Sequence, residues 1–387
     1  MSVNIEPQRS IKLAIKRKSE KVMSRKDAVL LRMLLFVPLS LILSRLGVDP
    51  IIIFITAGIA IIPLAAWIAN FTEAIATEIG PSLGGLLNVT FGNATELIIS
   101  IVALQAGLVD VVKASLAGSI IANLLLGLGV SFLLDGWRFP KHHSQPNISR
   151  VAVSRVNSGS LNLAVIFILM PVAIKFTSGS MNLSDTNQFS FVASLLLLAF
   201  YAMMLLFSMK THKYMYDLEE DAEPESYGSE AKGRRYDLWL HIGLLLASTI
   251  ALVFVSEVLV DSLQESISTL GLTSLFTGVI LIPIFGSAVE IITCGICAQK
   301  RKLDLSISVA IGSSLQIAMF VAPVLVLVGQ AMGQPMNLAF NTFSVMAVGV
   351  AVLMTNSVST DGKSNWLEGM LLLMTYAMLW TAFYLHD

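Results

Sequence analysis

Two short stretches of this chain, Gly92-Asn93-Ala94-Thr95-Glu96 and Gly286-Ser287-Ala288-Val289-Glu290, decide its fold. Each places one glutamate near the middle of a long apolar segment. Counting 22 residues on from Glu96 reaches Gly118-Ser119, and counting 22 residues on from Glu290 reaches Gly312-Ser313. The agreement in motif and in spacing predicts an internal repeat, which determines the architecture.

The composition around these stretches is that of a membrane protein. Of the 387 residues, 55% are hydrophobic and 13% are charged, against a charged share of roughly 25% in soluble domains. Backbone polar groups in lipid must be paired within the chain, so the spans are helices. The sequence predicts an all-α polytopic fold with eleven spans: 28–46, 50–78, 84–106, 109–134, 157–176, 187–209, 237–262, 272–298, 304–329, 337–357 and 365–385.

The basic residues predict the orientation. With eleven spans, 21 of the 25 Lys and Arg residues fall in the N-terminal tail or in loops on the side of that tail. The positive-inside rule therefore predicts a cytoplasmic N-terminus and an extracytoplasmic C-terminus. We expect a prokaryotic plasma membrane, or a vacuolar membrane if the host is eukaryotic. The first 27 residues lack the apolar core of a signal peptide.

With this orientation the two repeats are inverted. Span 84–106 runs outward and its counterpart 272–298 runs inward, which is typical of secondary transporters with a site near the midplane. The predicted organisation is a basic tail (1–27), a first helix (28–46), one five-helix repeat (47–209), an acidic cytoplasmic linker (210–236) and a second five-helix repeat (237–387).

The predicted site is rich in oxygen donors. Ionised side chains inside a membrane are costly and are functional candidates by default, and no Lys, Arg or His is expected beside Glu96 or Glu290. The other candidate ligands are Asn93, Ser119, Asn123, Ser287, Ser313 and Gln316, with helix breaks expected at Gly92, Gly118, Gly286 and Gly312. Oxygen ligands suit calcium, whereas zinc and copper prefer nitrogen or sulfur. Cys294 and Cys297 are interpreted as small residues at a helix contact.

Two neighbouring carboxylates repel each other once a divalent ion leaves, so protons are expected to replace calcium. Glu73 and Glu257 lie toward opposite ends of their spans and are predicted to gate the two entrances. Ca²⁺ and H⁺ are the expected transported ions, and no prosthetic group is expected. The expected surroundings are the lipid bilayer, without nucleic acid, and a homo-oligomer is compatible with the sequence. The linker acids Glu219, Glu220, Asp221 and Glu223 are either a solvated connector or a weak regulatory cation site.

From about residue 28 onward the chain resembles the calcium/proton exchanger family of the cation/calcium exchanger superfamily. The residues that carry the resemblance are 81–96 and 112–119 in the first half, and Glu290, Asp304-Leu305 and 312–318 in the second. The resemblance implies that Glu96 and Glu290 bind the cation and the proton, and that Glu73 and Glu257 lie on gating helices. Ser287 stands where the family usually has Asn, and Ile291 stands where many members have His.

Three other functions differ from calcium/proton exchange in what they require. A sodium/calcium exchanger of the same superfamily would need sodium for transport. A passive divalent-cation channel would conduct without moving protons, and two inverted repeats with central acids favour a carrier over it. An intramembrane enzyme is disfavoured because no Walker A loop, HExxH or GxSxG motif occurs at a suitable place.

Overall fold

The fold is described from a computed structural model, which covers residues 25–138, 148–178, 182–212, 235–359 and 365–385. The acidic linker residues Glu219 to Glu223 lie outside this part of the chain. The first half contains α1 (Arg25–Met33), α2 (Phe36–Leu46), α3 (Pro50–Ile79), α4 (Pro81–Phe91), α5 (Ala94–Gln105), α6 (Val109–Ile121), α7 (Leu128–Arg138), α8 (Ile148–Ser178) and α9 (Leu183–Leu206). The second half contains α10 (Arg235–Leu270), α11 (Ser274–Phe276), α12 (Ile282–Gly286), α13 (Ala288–Gln299), α14 (Leu303–Gln316), α15 (Ala322–Ala331), α16 (Thr342–Ser359) and α17 (Trp366–Leu385).

All the regular secondary structure in the described residues is helical, which confirms the predicted fold class. Nine of its helical segments are long and apolar enough to cross a membrane, or ten if the bent pair Ser274–Gly286 and Ala288–Gln299 is one span. The third predicted span, 84–106, does not meet this test because it is divided into α4 and α5, and α5 has only 12 residues. The total of eleven is consistent with this pattern and stays a prediction.

Local sequence explains where several helices begin and end. Asp49 caps α3, because its side chain accepts a hydrogen bond from the Ile51 amide and Pro50 occupies the first helical position. Pro81 occupies the same position in α4. Gly47 ends α2 in the left-handed region at φ 63°, where only a residue without Cβ is free of strain.

The degree of burial separates central from peripheral helices. In an apolar 18-residue stretch of each span, the share of buried residues is 83% for Val109–Arg138 and 67% for Leu303–Ala331, against 11% for Ala28–Leu46 and 17% for Trp366–Leu385. The two central spans are the segments that follow the repeated motifs. An apolar cluster packs α3 against α10 through side chains such as Leu64, Ile68, Val255 and Leu259. The repeated segments therefore form the middle of the bundle.

The two halves repeat the same series of elements. In the first half, α5 is preceded by a break at Gly92 and Asn93, and α6 and α7 are joined by a π-helical turn, Ala122–Gly127. In the second half, α13 is preceded by a break at Ser287, with a bend of 56°, and α14 and α15 are joined by a π-helical turn, Ile317–Val321. The secondary structure thus shows the repetition, whereas the inversion across the membrane stays a prediction.

Two of the four predicted helix breaks were wrong. Gly92 and Gly286 do lie at breaks, but Gly118 lies inside α6 and Gly312 lies inside α14. The irregularity comes later, at the π-helical turns that start at Ala122 and Ile317. A single glycine costs a helix only about 1 kcal/mol relative to alanine, so packing in the bundle is sufficient to keep these segments helical.

Candidate cation-binding site

The two glutamates of the repeated motifs begin two helices at the centre of the bundle. Glu96 lies in the first turn of α5, and Glu290 lies in the first turn of α13. Asn93 and Ser287 precede these helices, yet neither side chain forms a capping hydrogen bond with its own helix. Both side chains are buried, at 3% and 0% exposure, and both instead bond to residues of other segments.

Four polar side chains from three segments form one hydrogen-bonded chain. The Asn123 amide donates to the Ser313 hydroxyl at 3.0 Å, and this hydroxyl donates to Asn93 Oδ1 at 2.7 Å. The Asn93 amide donates in turn to Gln316 Oε1. These contacts join residues that are about 190 to 220 positions apart in the sequence, so the network ties the two halves together at the site.

The two carboxylates meet beside this network. Ser287 Oγ donates to Glu96 Oε1 at 3.2 Å, so the second half supplies a hydrogen bond to the acid of the first. Glu290 lies close enough to Glu96 for their charges to interact. Glu96 Oε2, Glu290 Oε2 and Asn123 Oδ1 are buried atoms that receive no hydrogen bond from any described residue. Such atoms are costly unless a bound ion, a proton or water satisfies them.

A small cavity adjoins Glu96 between the two halves. The volume open to the centres of water molecules is about 10 Å³, which is about what a single water needs. Gly286 borders it, and a Cβ at this position would lie 3.9 Å from Glu96 Oε1. The cavity is lined by Glu96, Ile99, Ser100, Ser115, Leu116, Ser119, Ile282 and Gly286.

The available donors fit a hard cation. Within the described ranges, no cluster of three or more His, Cys, Asp or Glu side chains could hold a metal ion. The site instead combines two carboxylates with amide and hydroxyl oxygens. Calcium binds six to eight oxygens in flexible geometry, and two carboxylates balance its charge.

The other predicted residues differ in whether they lie at this site. Ser119 lines the small cavity, whereas Glu73 on α3 and Glu257 on α10 are exposed side chains outside the hydrogen-bonded network. Sequence reasoning missed Ser100 and Ser115. The signals were present, since Ser100 lies one helical turn after Glu96 and Ser115 lies one turn before Ser119.

Tyr201 was also missed. Its hydroxyl makes a hydrogen bond with the Gln316 side chain, and the residue is 4% exposed. Tyr201 lies on α9, far from both repeated motifs in sequence, so no local pattern identifies it. It fixes the end of the network opposite Asn123.

Comparison with known proteins assigns the family. The model of the sodium/calcium exchanger protein family matches residues 50–210 and 240–385, and the chain belongs to this family. It is a membrane transporter rather than an enzyme. Its similarity is to the calcium/proton exchangers of the cation/calcium exchanger superfamily.

Three relatives carry that similarity. A Ca²⁺/H⁺ antiporter of Aphanothece halophytica is 49% identical over 371 residues, covering 94% of this chain and 98% of the relative. A Ca²⁺/H⁺ antiporter of Synechocystis sp. is 48% identical over 376 residues, covering 94% and 99%. The Ca²⁺/H⁺ antiporter ChaA of Bacillus subtilis is 38% identical over 357 residues, covering 90% and 96%.

Solved structures share the fold. The structure of native YfkE superimposes with a TM-score of 0.76 at 34% identity, covering 92% of this chain and 100% of that one. The crystal structure of the H⁺/Ca²⁺ exchanger CAX superimposes with a TM-score of 0.68 at 12% identity, covering 94% and 93%, which supports the fold alone.

Proposed function

We propose that this protein exchanges Ca²⁺ for H⁺ across a membrane by alternating access, with Glu96 and Glu290 at the central site. The observation that carries the proposal is the pair of carboxylates at the junction of the two halves, each with a buried Oε2 atom. Each has one oxygen with no hydrogen-bond partner among the described residues. The antiport activity named for the three relatives supports the same conclusion.

Coupling follows from the charge at this site. With calcium bound, the two negative charges are balanced and the free carboxylate oxygens have a ligand. When calcium leaves, two carboxylates in a low-dielectric site cannot both stay ionised without a large penalty. Protonation removes the repulsion. The loaded and the protonated sites can therefore change their exposure to the two sides, whereas the empty ionised site cannot.

Neutral donors complete the proposed calcium shell. Asn93, Ser119, Asn123, Ser287, Ser313 and Gln316 are the candidates. Asn123 Oδ1 is already free to bind an ion. The hydrogen bonds of Asn93, Ser287, Ser313 and Gln316 order these side chains before the ion arrives, which lowers the ordering cost of binding.

An asymmetry between the halves supports alternating access. A Cβ on Gly118 would collide with the Val279 carbonyl oxygen and would lie 2.7 Å from Pro283 Cγ. At the equivalent Gly312, no described atom beyond the neighbouring helix backbone lies within 4 Å of the same position. One side of the site is thus closed by backbone contact and the equivalent contact on the other side is open. If the contact at Gly118 opened and the equivalent contact at Gly312 closed, the site would become accessible from the other side of the membrane.

Glu73 and Glu257 are the proposed gating acids. They are exposed on α3 and α10, the two helices that pack closely against each other. A carboxylate facing lipid in a membrane helix is unfavourable, so each is expected to face a water-filled passage toward its own side. Protonation of either acid would then change the cost of closing its passage.

Calcium uptake into reconstituted vesicles under an imposed pH gradient tests the proposal. We expect uptake that depends on the proton gradient and ignores sodium. Glu96→Gln and Glu290→Gln should each reduce it about 100-fold or more, since removing one partner of a buried charged site typically costs 3–5 kcal/mol. The matched control is Glu265→Gln, an exposed acid on α10 outside the site.

Three outcomes would count against the proposal. Uptake that requires sodium would favour a sodium/calcium exchanger. Uptake driven by the calcium gradient alone, without proton movement, would favour a channel. Full uptake in both site variants would show that the central pair is misassigned.

A further inference from the structure

A second, larger cavity lies on the other side of the contact between Gly118 of α6 and the Val279 carbonyl. Its volume open to the centres of water molecules is about 390 Å³, which is room for several waters. By the predicted orientation it faces the extracytoplasmic side, where the loops after α5, α10 and α15 are found. Its polar lining consists of Asp110, Lys113, Ser274, Asn341 and Ser344.

Two hydrogen bonds hold the ammonium group of Lys113 in position at the wall of this cavity. Its ammonium group donates to Asn337 Oδ1 at 2.6 Å and to the Ala339 carbonyl at 3.1 Å. The segment it holds is itself anchored to α9, because the Asn337 amide donates to Asn187 Oδ1 at 3.0 Å. The lysine is therefore held in place at the wall of the cavity.

One buried hydroxyl lacks a partner. Ser344 lines the cavity, is 1% exposed, and its Oγ forms no hydrogen bond with any described residue. A hydroxyl buried in this way needs water or an ion as a partner. The cavity supplies space for one, so its interior is expected to be wet.

Helix α6 connects this cavity to the central site. Lys113 and Ala114 line the large cavity, whereas Ser115 and Ser119 line the small cavity beside Glu96. The barrier between them is the contact of α6 with the π-helical turn Thr277–Leu281. A Cβ on Gly278 would collide with Ala114 Cβ, just as one on Gly118 would collide with Val279. The two cavities are separated by one glycine-lined helix contact.

We propose that the large cavity is the extracytoplasmic vestibule of the transport path, and that Lys113 is the charge in it that weakens calcium binding on that side. This inference rests on the proposed exchange function and adds a residue that sets the difference in affinity between the two sides. The fixed ammonium repels a divalent cation in the vestibule, while Asp110, one helical turn away, partly offsets the repulsion. Released calcium is thereby discouraged from rebinding.

Charge variants measured from each side test the role of Lys113. Right-side-out vesicles present the vestibule to added calcium, and everted vesicles present the opposite side. From the vestibule side, Lys113→Gln should lower the half-saturating calcium concentration about fivefold, equivalent to about 1 kcal/mol, and Asp110→Asn should raise it. Lys113→Arg, which keeps the charge, should stay near wild type, and values from the cytoplasmic side should not change.

Equal shifts on both sides, or no shift in either charge variant, would overturn the role of Lys113. Loss of transport in wild type would instead remove the proposed function. The two failures are therefore distinguishable.

A thiol-labelling experiment tests the vestibule without relying on transport. In a background with Cys294→Ala and Cys297→Ala, Ser344→Cys should react with a membrane-impermeant methanethiosulfonate added to right-side-out vesicles. Ser359→Cys is the matched control, because Ser359 has the same buried hydroxyl without a described partner at the opposite end of α16. Ser359→Cys should not react from that side. Absence of reaction at position 344, or reaction only in everted vesicles, would refute the vestibule.

Discussion

Adding one methyl group at Gly118 should destabilise the conformation described above, and adding one at Gly312 should not. The two glycines occupy equivalent places in the repeats, each 22 residues after a central glutamate. At Gly118 the new Cβ would overlap the backbone carbonyl of Val279 and lie 2.7 Å from Pro283 Cγ. At Gly312 the new Cβ would enter open space. The pair is therefore a matched comparison of the same substitution in two environments.

The expected magnitude follows from the kind of atom that is overlapped. A backbone carbonyl cannot rotate away, so α6 and the π-helical turn Thr277–Leu281 must separate, and overpacking of this kind typically costs 1–3 kcal/mol. Such a cost shifts a two-state equilibrium by about 5- to 150-fold. Gly312→Ala lies inside α14 and should gain about 0.5–1 kcal/mol of helix propensity.

Two measurements separate the variants. Thermal unfolding of the purified protein should give a Tm several degrees lower for Gly118→Ala and an unchanged or slightly higher Tm for Gly312→Ala. Calcium uptake should be slow in both. In Gly118→Ala the closed contact is weakened, and in Gly312→Ala the opposite contact cannot form when access switches.

Full turnover of Gly312→Ala would refute the idea that the two repeats exchange environments during transport. An unchanged Tm in Gly118→Ala would refute the backbone contact itself. The reasoning survives only if the Tm falls in Gly118→Ala alone while calcium uptake slows in both variants.

Three further predictions concern the site and its support. Ser287→Ala removes the hydrogen bond to Glu96 Oε1, so the half-saturating calcium concentration should rise about tenfold. Ser287→Asn should stay within about threefold of wild type. A half-saturating concentration in Ser287→Ala equal to that of wild type would show that this contact is not used. Asn93→Ala leaves Ser313 and Gln316 without their hydrogen bonds to Asn93, and it should weaken calcium binding about 10- to 100-fold and lower the Tm. A lower Tm with unchanged calcium affinity would show that Asn93 stabilises the fold but does not contribute to binding. Ser306→Ala removes the hydrogen bond that Ser306 donates to the Cys294 carbonyl at 2.8 Å, which should cost about 1 kcal/mol in unfolding free energy and leave calcium affinity unchanged; a changed affinity would extend the site to this contact.

The sequence was sufficient for the parts of this protein that depend on local pattern. Apolar segments with short polar breaks predicted the helices, because a membrane leaves the backbone no other way to satisfy its hydrogen bonds. The repeated motif predicted Glu96 and Glu290 as a pair, since a buried acid with no basic neighbour needs a cation or a proton. The breaks before α5 and α13 followed from the glycines beside Asn93 and Ser287.

Other features depend on packing between distant segments and had no local signal. Tyr201 reaches Gln316 from α9, and no motif surrounds it. The hydrogen bond from Asn123 to Ser313 joins residues 190 positions apart. The glycines at 118 and 312 were expected to break their helices, yet both lie inside helices. Gly118 allows a close helix contact, whereas the position of a Cβ on Gly312 is open.

That last difference bears most directly on mechanism. Two segments with the same motif and the same spacing would have the same surroundings if the structure were symmetric, yet Gly118 is in backbone contact and Gly312 is open. In the proposed mechanism, this difference belongs to the conformation described here and reverses when access switches. A chain built from two such halves can reach the mirror arrangement by exchanging the environments of its repeats. In the mechanism proposed here, the central pair, Glu96 and Glu290, would stay in place while the closed contact moves from α6 to α14, and this exchange would provide alternating access.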